Sequence, residues 1–173
     1  DIVIVNSSTN YGPRQGGDKF IPKIIKAILN DKSVDVYGTG ENIRDWLFVL
    51  DHCRAIDFVL ENGKIGDCYL IGGKSERTNI EIVKTICDIL NELLPKKDFD
   101  YANLIEFVED RPGHDFRYAI DFSKIKNELN WNPEINFEDG IRQTIVWYID
   151  NKNWWKKIQK IKYNQDRLGI EKK

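Results

Sequence analysis

Asp110–Asp121 is the stretch of the chain whose residue types could do the most chemistry. It places Arg111, His114 and a second arginine around a Pro-Gly turn between two hydrophobic segments. A planar guanidinium can grip adjacent phosphate oxygens in a bidentate manner. Arg111, and Arg44 upstream, therefore predict an anion site. The alternatives are that both arginines are solvated or salt-bridged and that His114 is a turn residue bonded to backbone.

Other candidates lie where elements begin or end. Asn79 stands at the start of a helix, where free N–H groups favour phosphate, or it merely completes the first turn. Tyr37 stands at the end of a predicted strand, before the turn at Gly38. Ser8–Pro13 follows a short β-branched run, at the strand end where open α/β sheets bind ligands.

Strands alternating with amphipathic helices position these residues and predict an α/β fold. Ile2–Val5 is expected to be buried on both faces, since it is an unbroken apolar run. Thr78 and Glu81 predict a capping box before the clearest helix, which ends near residue 94. Further strands are predicted at 34–37, 46–49, 69–71 and 104–108, and further helices at 20–29, 51–60, 122–129 and 137–149, with a terminal helix or tail at 153–173.

Length and charge narrow the class of protein. The chain has 173 residues, enough for one domain, and a net charge of -2, which gives no basic field for nucleic acid or a membrane surface. Its 3 cysteines are widely spaced, which argues against a zinc site or disulfides and favours a reducing, cytoplasmic setting. We expect no bound metal, because the 2 histidines lie far apart.

The beginning of the chain is unusual. It opens on Asp1, lacks methionine altogether and has no signal-peptide pattern. We therefore expect a piece of a longer protein whose start has been removed.

Four stretches, in this order, resemble the C-terminal half of extended short-chain dehydrogenases/reductases (SDRs) that act on nucleotide sugars. They are Asn10-Tyr11-Gly12-Pro13, Tyr37–Asp51 with its Arg-Asp-Trp run, Ile71-Gly72-Gly73, and Leu129-x-Trp131-x-Pro133 before a final helix. Within that group, residues 110–119, 18–22 and 77–79 resemble the dTDP-glucose 4,6-dehydratase family. The resemblance extends from about Ile2 to Ile158.

The resemblance implies the C-terminal substrate-binding part of an extended SDR, with the N-terminal Rossmann sheet largely missing. In that family NAD oxidises the sugar at C4, water leaves across C5 and C6, and the hydride returns to C6. The catalytic Tyr/Lys and Asp/Glu pairs and the main NAD site belong to the Rossmann part, so no catalytic residue is expected here and the chain alone should be inactive. The product would be a 4-keto-6-deoxy sugar nucleotide for surface polysaccharides.

The resemblance also implies site residues. Asn10 matches the asparagine near the nicotinamide, with a plain turn amide as its alternative role. Lys19 can instead be a solvated helix lysine. The residues expected to bind the dTDP-sugar are Thr9, Lys19, Phe20, Tyr37, Arg44, Asn79, Arg111 and His114.

The expected domain division follows from the same resemblance. Residues 1–15 and about 43–63 would pack into the Rossmann domain, 16–42 and 64–152 would form the nucleotide-sugar-binding domain, and 153–173 would be the terminal segment. The intact enzyme is expected to be a homodimer. Without its Rossmann domain the chain should self-associate through apolar residues: Val3, Val5, Trp46, Phe48 and Phe58.

Two departures leave the exact nucleotide open. Thr9 replaces a common asparagine, and Asp35 places a carboxylate where proline is common. A UDP-sugar 4-epimerase or decarboxylase therefore stays an alternative, as does a non-catalytic self-associating module. Two patterns that imitate the missing machinery have simpler interpretations: Tyr148-x-x-x-Lys152 as helix surface and Gly38-Thr39-Gly40 as a turn.

Overall fold

The computed structural model describes residues 1–162, and side chains to residue 158. Contacts divide the chain into two compact units. The first unit contains residues 1–12, 43–77 and 117–141, and the second contains 13–42, 78–116 and the chain from Arg142 onward. The last eleven residues of the expected terminal segment, 163–173, lie outside the described residues. None of the described helices has both the length and the apolar character needed to cross a bilayer.

Short parallel strands form the frame of the first unit. Strand β1 (Ile4–Ser7) pairs with β5 (Cys68–Ile71), and β2 (Thr9–Tyr11) pairs with β4 (Ile43–Phe48). Strand β6 (Glu76–Thr78) adjoins the opposite edge of β4, and a two-residue strand, β8 (Arg117–Tyr118), pairs in parallel with the first residues of β4. The helices of the unit are α2 (Val49–Asn62) and α4 (Ser123–Leu129).

Helices dominate the second unit. Helix α1 (Phe20–Ile28) packs on α3 (Asn79–Leu93), and β3 (Val34–Tyr37) pairs in parallel with β7 (Ile105–Val108). A 3-10 turn (Tyr101–Leu104) packs against α3. The predicted capping box is confirmed, because the Glu81 N–H donates to the Thr78 hydroxyl and the Thr78 N–H donates to the Glu81 carboxylate.

Two helices complete the C-terminal part of the chain. Helix α5 (Phe137–Asp150) begins among the residues of the first unit and continues into those of the second. Helix α6 (Lys152–Lys162) follows it, so the described part of the expected terminal segment is helical. The strands and helices thus alternate as the sequence predicts. The strands that its patterns do not indicate are short, and they are β2, β6 and β8.

The prediction that Ile2–Val5 is buried on both faces is wrong. Val3 and Val5 pack against the core of the first unit, but Ile2 is 72% exposed and Ile4 is 52% exposed. Alternate side chains of a strand point to opposite faces, and only one face of β1 is covered within the described residues. The core that it meets consists of Leu47, Ala55, Val59, Tyr69, Ile71, Ile125 and Trp131.

Two residues expected to be exposed are also buried. Trp46 and Phe48 are 4% and 2% exposed, because both pack edge-on against Tyr11, which also contacts Phe137. The Tyr11 hydroxyl donates to the Phe137 carbonyl at 3.4 Å. Burial raises the pKa of this phenol well above its ordinary value, and Glu138 and Asp51 add to the effect.

The observed units group some residues differently from the predicted domain division, which itself stays a prediction. Residues 64–77 and 117–141 were expected with the nucleotide-sugar-binding residues, but they join the first unit, since β5 pairs with β1, β8 with β4, and α4 packs on β5. That residues 1–15 and 43–63 pack into a Rossmann domain stays a prediction.

Candidate functional site

Six of the eight residues expected to bind substrate line one cavity in the second unit. The cavity has a volume of about 310 Å³. Its lining comes from four separate segments of the chain: Asp18, Lys19, Phe20, Lys23, Tyr37, Asn79, Arg111 and His114. Asp18 and Lys23 were not predicted. Lys23 stands four positions after Lys19, a helical spacing that puts both on one face and could have identified it.

The first turn of α1 supplies the lysine side of the cavity. Lys19 is the N-cap residue, with extended backbone, and Phe20 is the first helical residue. The Lys19 ammonium lies 3.1 Å from the Asp18 carboxylate. The pKa of that carboxyl is held below its ordinary value, first by the hydrogen bond from Lys19 and in smaller part by Lys26. The lysines outnumber the one carboxylate, so this side of the cavity is positive.

Tyr37 enters the cavity from the end of β3, where the chain turns through Gly38 and Gly40. Both glycines have positive φ angles, 56° and 76°. A Cβ added to Gly40 would lie 2.9 Å from the Ile80 Cβ, so this glycine permits close packing against α3. The interpretation of Gly38-Thr39-Gly40 as a turn is confirmed.

The N-terminus of α3 is already satisfied by the protein itself. The N–H of Asn79 donates to the Asn42 carbonyl and that of Ile80 to the Gly40 carbonyl, both at 3.0 Å. Thr78 and Glu81 satisfy each other through the capping box. The expectation that free N–H groups of this helix hold phosphate is therefore wrong, and a ligand can meet Asn79 through its side-chain amide.

The turn after β7 brings Arg111 and His114 to the cavity. Asp110 organises it: its carboxylate accepts the Arg111 N–H at 2.8 Å and contacts His114 Nδ1 at 2.7 Å. The pKa of the Asp110 carboxyl is lowered, first by the hydrogen bond with His114. The His114 ring also meets the Tyr37 ring edge-on, with 6.4 Å between the ring centroids. His114 Nε2 is therefore the nitrogen left for a ligand.

The two arginines of this stretch have different surroundings. Arg117 makes a bidentate pair with Glu76, with both N–O distances at 2.7 Å. Arg111 is exposed, and no ion pair joins its guanidinium to a carboxylate within residues 1–162. Arg117 and Tyr118 form β8 and pair with Ile43 and Arg44.

Thr9, Asn10 and Arg44 belong to the first unit. Thr9 and Asn10 lie on β2 opposite Trp46 and Leu47. The Asn10 amide donates to the Ser7 hydroxyl at 3.0 Å and to the Ser8 carbonyl at 3.1 Å, which fits the turn alternative. Arg44 Nη1 donates to the carbonyl of Ile43 at 2.6 Å. Their binding roles stay predictions.

The turn at Gly38–Gly40 does not form a cradle for a dinucleotide such as NAD. Gly40, which the weak glycine pattern would place near a pyrophosphate, packs on Ile80 and Val36 instead. Tyr148 was expected on the helix surface, but it is buried and donates to the Gln15 carbonyl at 2.7 Å, and burial raises its pKa. It is therefore a core residue unsuited to proton transfer. Ser8 Oγ is buried without a hydrogen-bond partner among residues 1–162.

Metal binding has no support in the described part of the chain. No group of three or more His, Cys, Asp or Glu side chains is placed there to hold an ion. The charged side chains considered for ligand binding in the second unit are thus those that line the cavity.

Comparison with known proteins identifies the chain's relatives. The model of the family described as GDP-mannose 4,6 dehydratase matches residues 1–144. The chain is 49% identical over 173 residues to the dTDP-glucose 4,6-dehydratase of Neisseria meningitidis serogroup B, covering 98% of this chain and 49% of that protein. It therefore spans about half the length of the curated relatives it matches.

Solved structures agree in fold. The dTDP-glucose 4,6-dehydratase of Bacillus anthracis, in complex with NAD, is 44% identical with a TM-score of 0.80, covering 90% of this chain and 47% of that one. A UDP-glucuronic acid 4-epimerase of Bacillus cereus, in complex with UDP-glucuronic acid and NAD, is more distant. It is 28% identical with a TM-score of 0.75, covering 86% of this chain and 45% of that one. The predicted α/β fold of an extended SDR is thereby confirmed.

Proposed function

Because the chain belongs to the GDP-mannose 4,6 dehydratase family, we propose that it is the substrate-binding portion of a dTDP-glucose 4,6-dehydratase. The enzyme as a whole would be an NAD-dependent lyase, acting in the cytoplasm and as a homodimer. In this proposal, the cavity of the second unit holds the nucleotide end of dTDP-glucose.

The observation that carries the proposal is the charge of the cavity. Lys19, Lys23 and Arg111 line it against a single carboxylate, Asp18, which Lys19 already neutralises. Lys23 and Arg111 are left to meet the two charges of a diphosphate. The rings of Tyr37 and Phe20 offer apolar surface for a thymine. By resemblance, Arg44 and Thr9 of the first unit are also proposed to bind the dTDP-sugar, and Asn10 to bind the nicotinamide.

Catalysis is not assigned to this chain. The resemblance puts the Tyr/Lys pair that serves hydride transfer, and the Asp/Glu pair that serves water elimination, in the Rossmann part of the family. General acid–base catalysis needs such groups in position. We therefore expect the chain alone to form no 4-keto-6-deoxy sugar from dTDP-glucose.

Calorimetric titration with dTDP, UDP and NAD tests the proposal. We expect dTDP to bind with measurable heat and NAD not to bind. NAD binding without dTDP binding would reverse the assigned roles. Tighter binding of UDP than of dTDP would favour the UDP-sugar epimerase or decarboxylase alternative, which the similarity to the Bacillus cereus epimerase and the carboxylate of Asp35 support.

A non-catalytic self-associating module is the second alternative, and exposed apolar side chains of the first unit favour it. The set differs from the expected one, since Trp46 and Phe48 are buried. The exposed members are Ile2, Ile4, Leu50, Ile56, Leu60, Ile65 and Leu70. Apolar surface of this kind drives association. Light scattering should show oligomers for the isolated chain, whereas a monomer at every concentration would exclude this alternative.

A further inference from the structure

The loop that leads into the cavity is held from behind by two buried side chains. This rim loop, residues 13–19, joins β2 to α1, and its last residues line the cavity. Lys26 Nζ donates to the Gly17 carbonyl at 3.2 Å, and the Tyr148 hydroxyl donates to the Gln15 carbonyl at 2.7 Å. The carbonyl groups of Gln15 and Gly17 are thus held by side chains from the interior of the second unit.

Lys26 is an unusual residue for this task. Lys26 is only 2% exposed, and among the described residues its ammonium hydrogen-bonds only to the neutral Gly17 carbonyl, while the Asp18 carboxylate acts on it electrostatically. A buried ammonium costs free energy unless it is paired, so an apolar residue of similar volume would serve the fold at least as well. Burial also lowers the pKa of this lysine. The position is therefore poorly explained by stability alone.

The Lys26 ammonium packs directly against the backbone of Gly17. A Cβ built on Gly17 would lie 2.1 Å from Lys26 Nζ. Gly17 precedes Asp18, and the Lys19 N–H closes the turn onto the Gly16 carbonyl at 3.1 Å. Any shift of the Gly17 carbonyl therefore moves the Asp18–Lys19 ion pair at the cavity wall. Nearby, the Arg14 guanidinium lies 5.7 Å from the centre of the Trp147 ring, a third restraint on the same loop.

We propose that Lys26 and Tyr148 are positioning residues that set the rim loop, and through it Asp18, Lys19 and Phe20, in the conformation that receives an anionic ligand. Neither side chain lines the cavity. They act through the Gly17 and Gln15 carbonyls, so the ordering of the loop is complete before the ligand arrives. The claim about anion affinity rests on the proposed function, but the claim about loop order does not.

The test compares Lys26→Met and Tyr148→Phe with the wild-type chain, and uses Lys84→Met on the exposed side of α3 as the matched control. Limited trypsin digestion, followed by mass spectrometry, reports cleavage after Arg14 and Lys19 in the ligand-free protein. We expect several-fold faster cleavage at both sites in Lys26→Met, a smaller increase in Tyr148→Phe and none in the control. Affinity for dTDP should fall about tenfold in Lys26→Met, the effect of one charge-assisted hydrogen bond.

A thermal melt separates positioning from a merely structural role. Lys26→Met should melt at or above the wild-type temperature, because it removes a buried charge. Gly17→Ala should reproduce the faster cleavage, because its Cβ displaces the ammonium. Unchanged cleavage in Lys26→Met overturns the proposal. So does faster cleavage in Lys26→Met together with a melting temperature below that of the wild type. If the wild type fails to bind dTDP, the proposed function fails while the digestion still decides the role of the loop.

Discussion

In the first unit the buried carboxylates are fully hydrogen-bonded within the protein, whereas in the second unit two of the cavity cations, Lys23 and Arg111, have no carboxylate partner among the described residues. Asp45 is buried and accepts the N–H groups of Gly73 and Ser75, both at 2.8 Å. Asp51 likewise accepts the N–H groups of Glu134 and Ile135. Lys23 and Arg111 line the cavity without an ion pair among the described residues.

The difference separates charge that specifies the fold from charge available to a ligand. Each buried aspartate joins segments far apart in the chain, since Asp51 lies 83 positions from Glu134. Its oxygen atoms are occupied, so it has nothing left to offer a substrate. Within the described residues Arg111 hydrogen-bonds only through its backbone N–H, so its five guanidinium donors stay available.

Removal of Asp51 should give the largest effect. Asp51→Ala leaves the N–H groups of Glu134 and Ile135 without their acceptor and removes one of the two carboxylate partners of Arg54, the one at 2.8 Å. We expect the free energy of unfolding to fall by about 3 kcal/mol, as for other broken buried pairs, in urea denaturation. Asp57→Asn, an exposed position on the same helix, is the control. A loss below about 1 kcal/mol, the scale of an ordinary surface pair, would show that Asp51 is not a fold determinant.

Arg111 should behave in the opposite way. Arg111→Gln removes a charged donor from an exposed turn, so stability should hold while affinity for dTDP drops by about 2 kcal/mol, the range of hydrogen bonds to charged groups. Calorimetry of the variant gives the affinity and a thermal melt gives the stability. The matched control is Arg117→Gln, whose guanidinium is committed to Glu76. An equal loss of affinity in both variants would contradict the assignment of Arg111.

Acidification should give the smallest effect, through Asp110. Its pKa is lowered in the folded chain, so the stability it contributes is present above the unfolded value, about 4, and is lost as pH falls through the folded value. Asp110→Asn should therefore melt below the wild type at pH 6, and the gap should narrow as the pH approaches 3. Melting curves across this range measure the gap. If the difference in melting temperature did not change with pH, the Asp110 carboxylate would not be the group that stabilises the turn.

Local signals account for the elements that the sequence predicted well. The α3 capping box and its apolar stripe depend on residues three or four positions apart, so the helix could be placed before any tertiary contact was known. Strand β8 could not, because Arg117 and Tyr118 are exposed, carry no alternation and become a strand only by pairing with β4. The exposure of Ile4 was missed for a related reason: an apolar run does not reveal which of its faces is covered.

The candidate site divides in the same way. Lys19, Tyr37, Asn79 and Arg111 were selected by residue type and by resemblance. Lys23, Lys26 and the satisfied N-terminus of α3 were not, since their meaning depends on what they face.

By itself, then, the sequence determined the α/β order of elements, the family and most residues of the cation-lined cavity, because periodicity, caps and motif residues are written along the chain. Only the tertiary structure decided which polar and charged groups already have a partner within the protein. It paired Arg117 with Glu76, closed the α3 N–H groups on the Gly40 and Asn42 carbonyls, and buried Lys26 behind Gly17. These outcomes depend on residues distant in sequence meeting within hydrogen-bond reach, which no local pattern records.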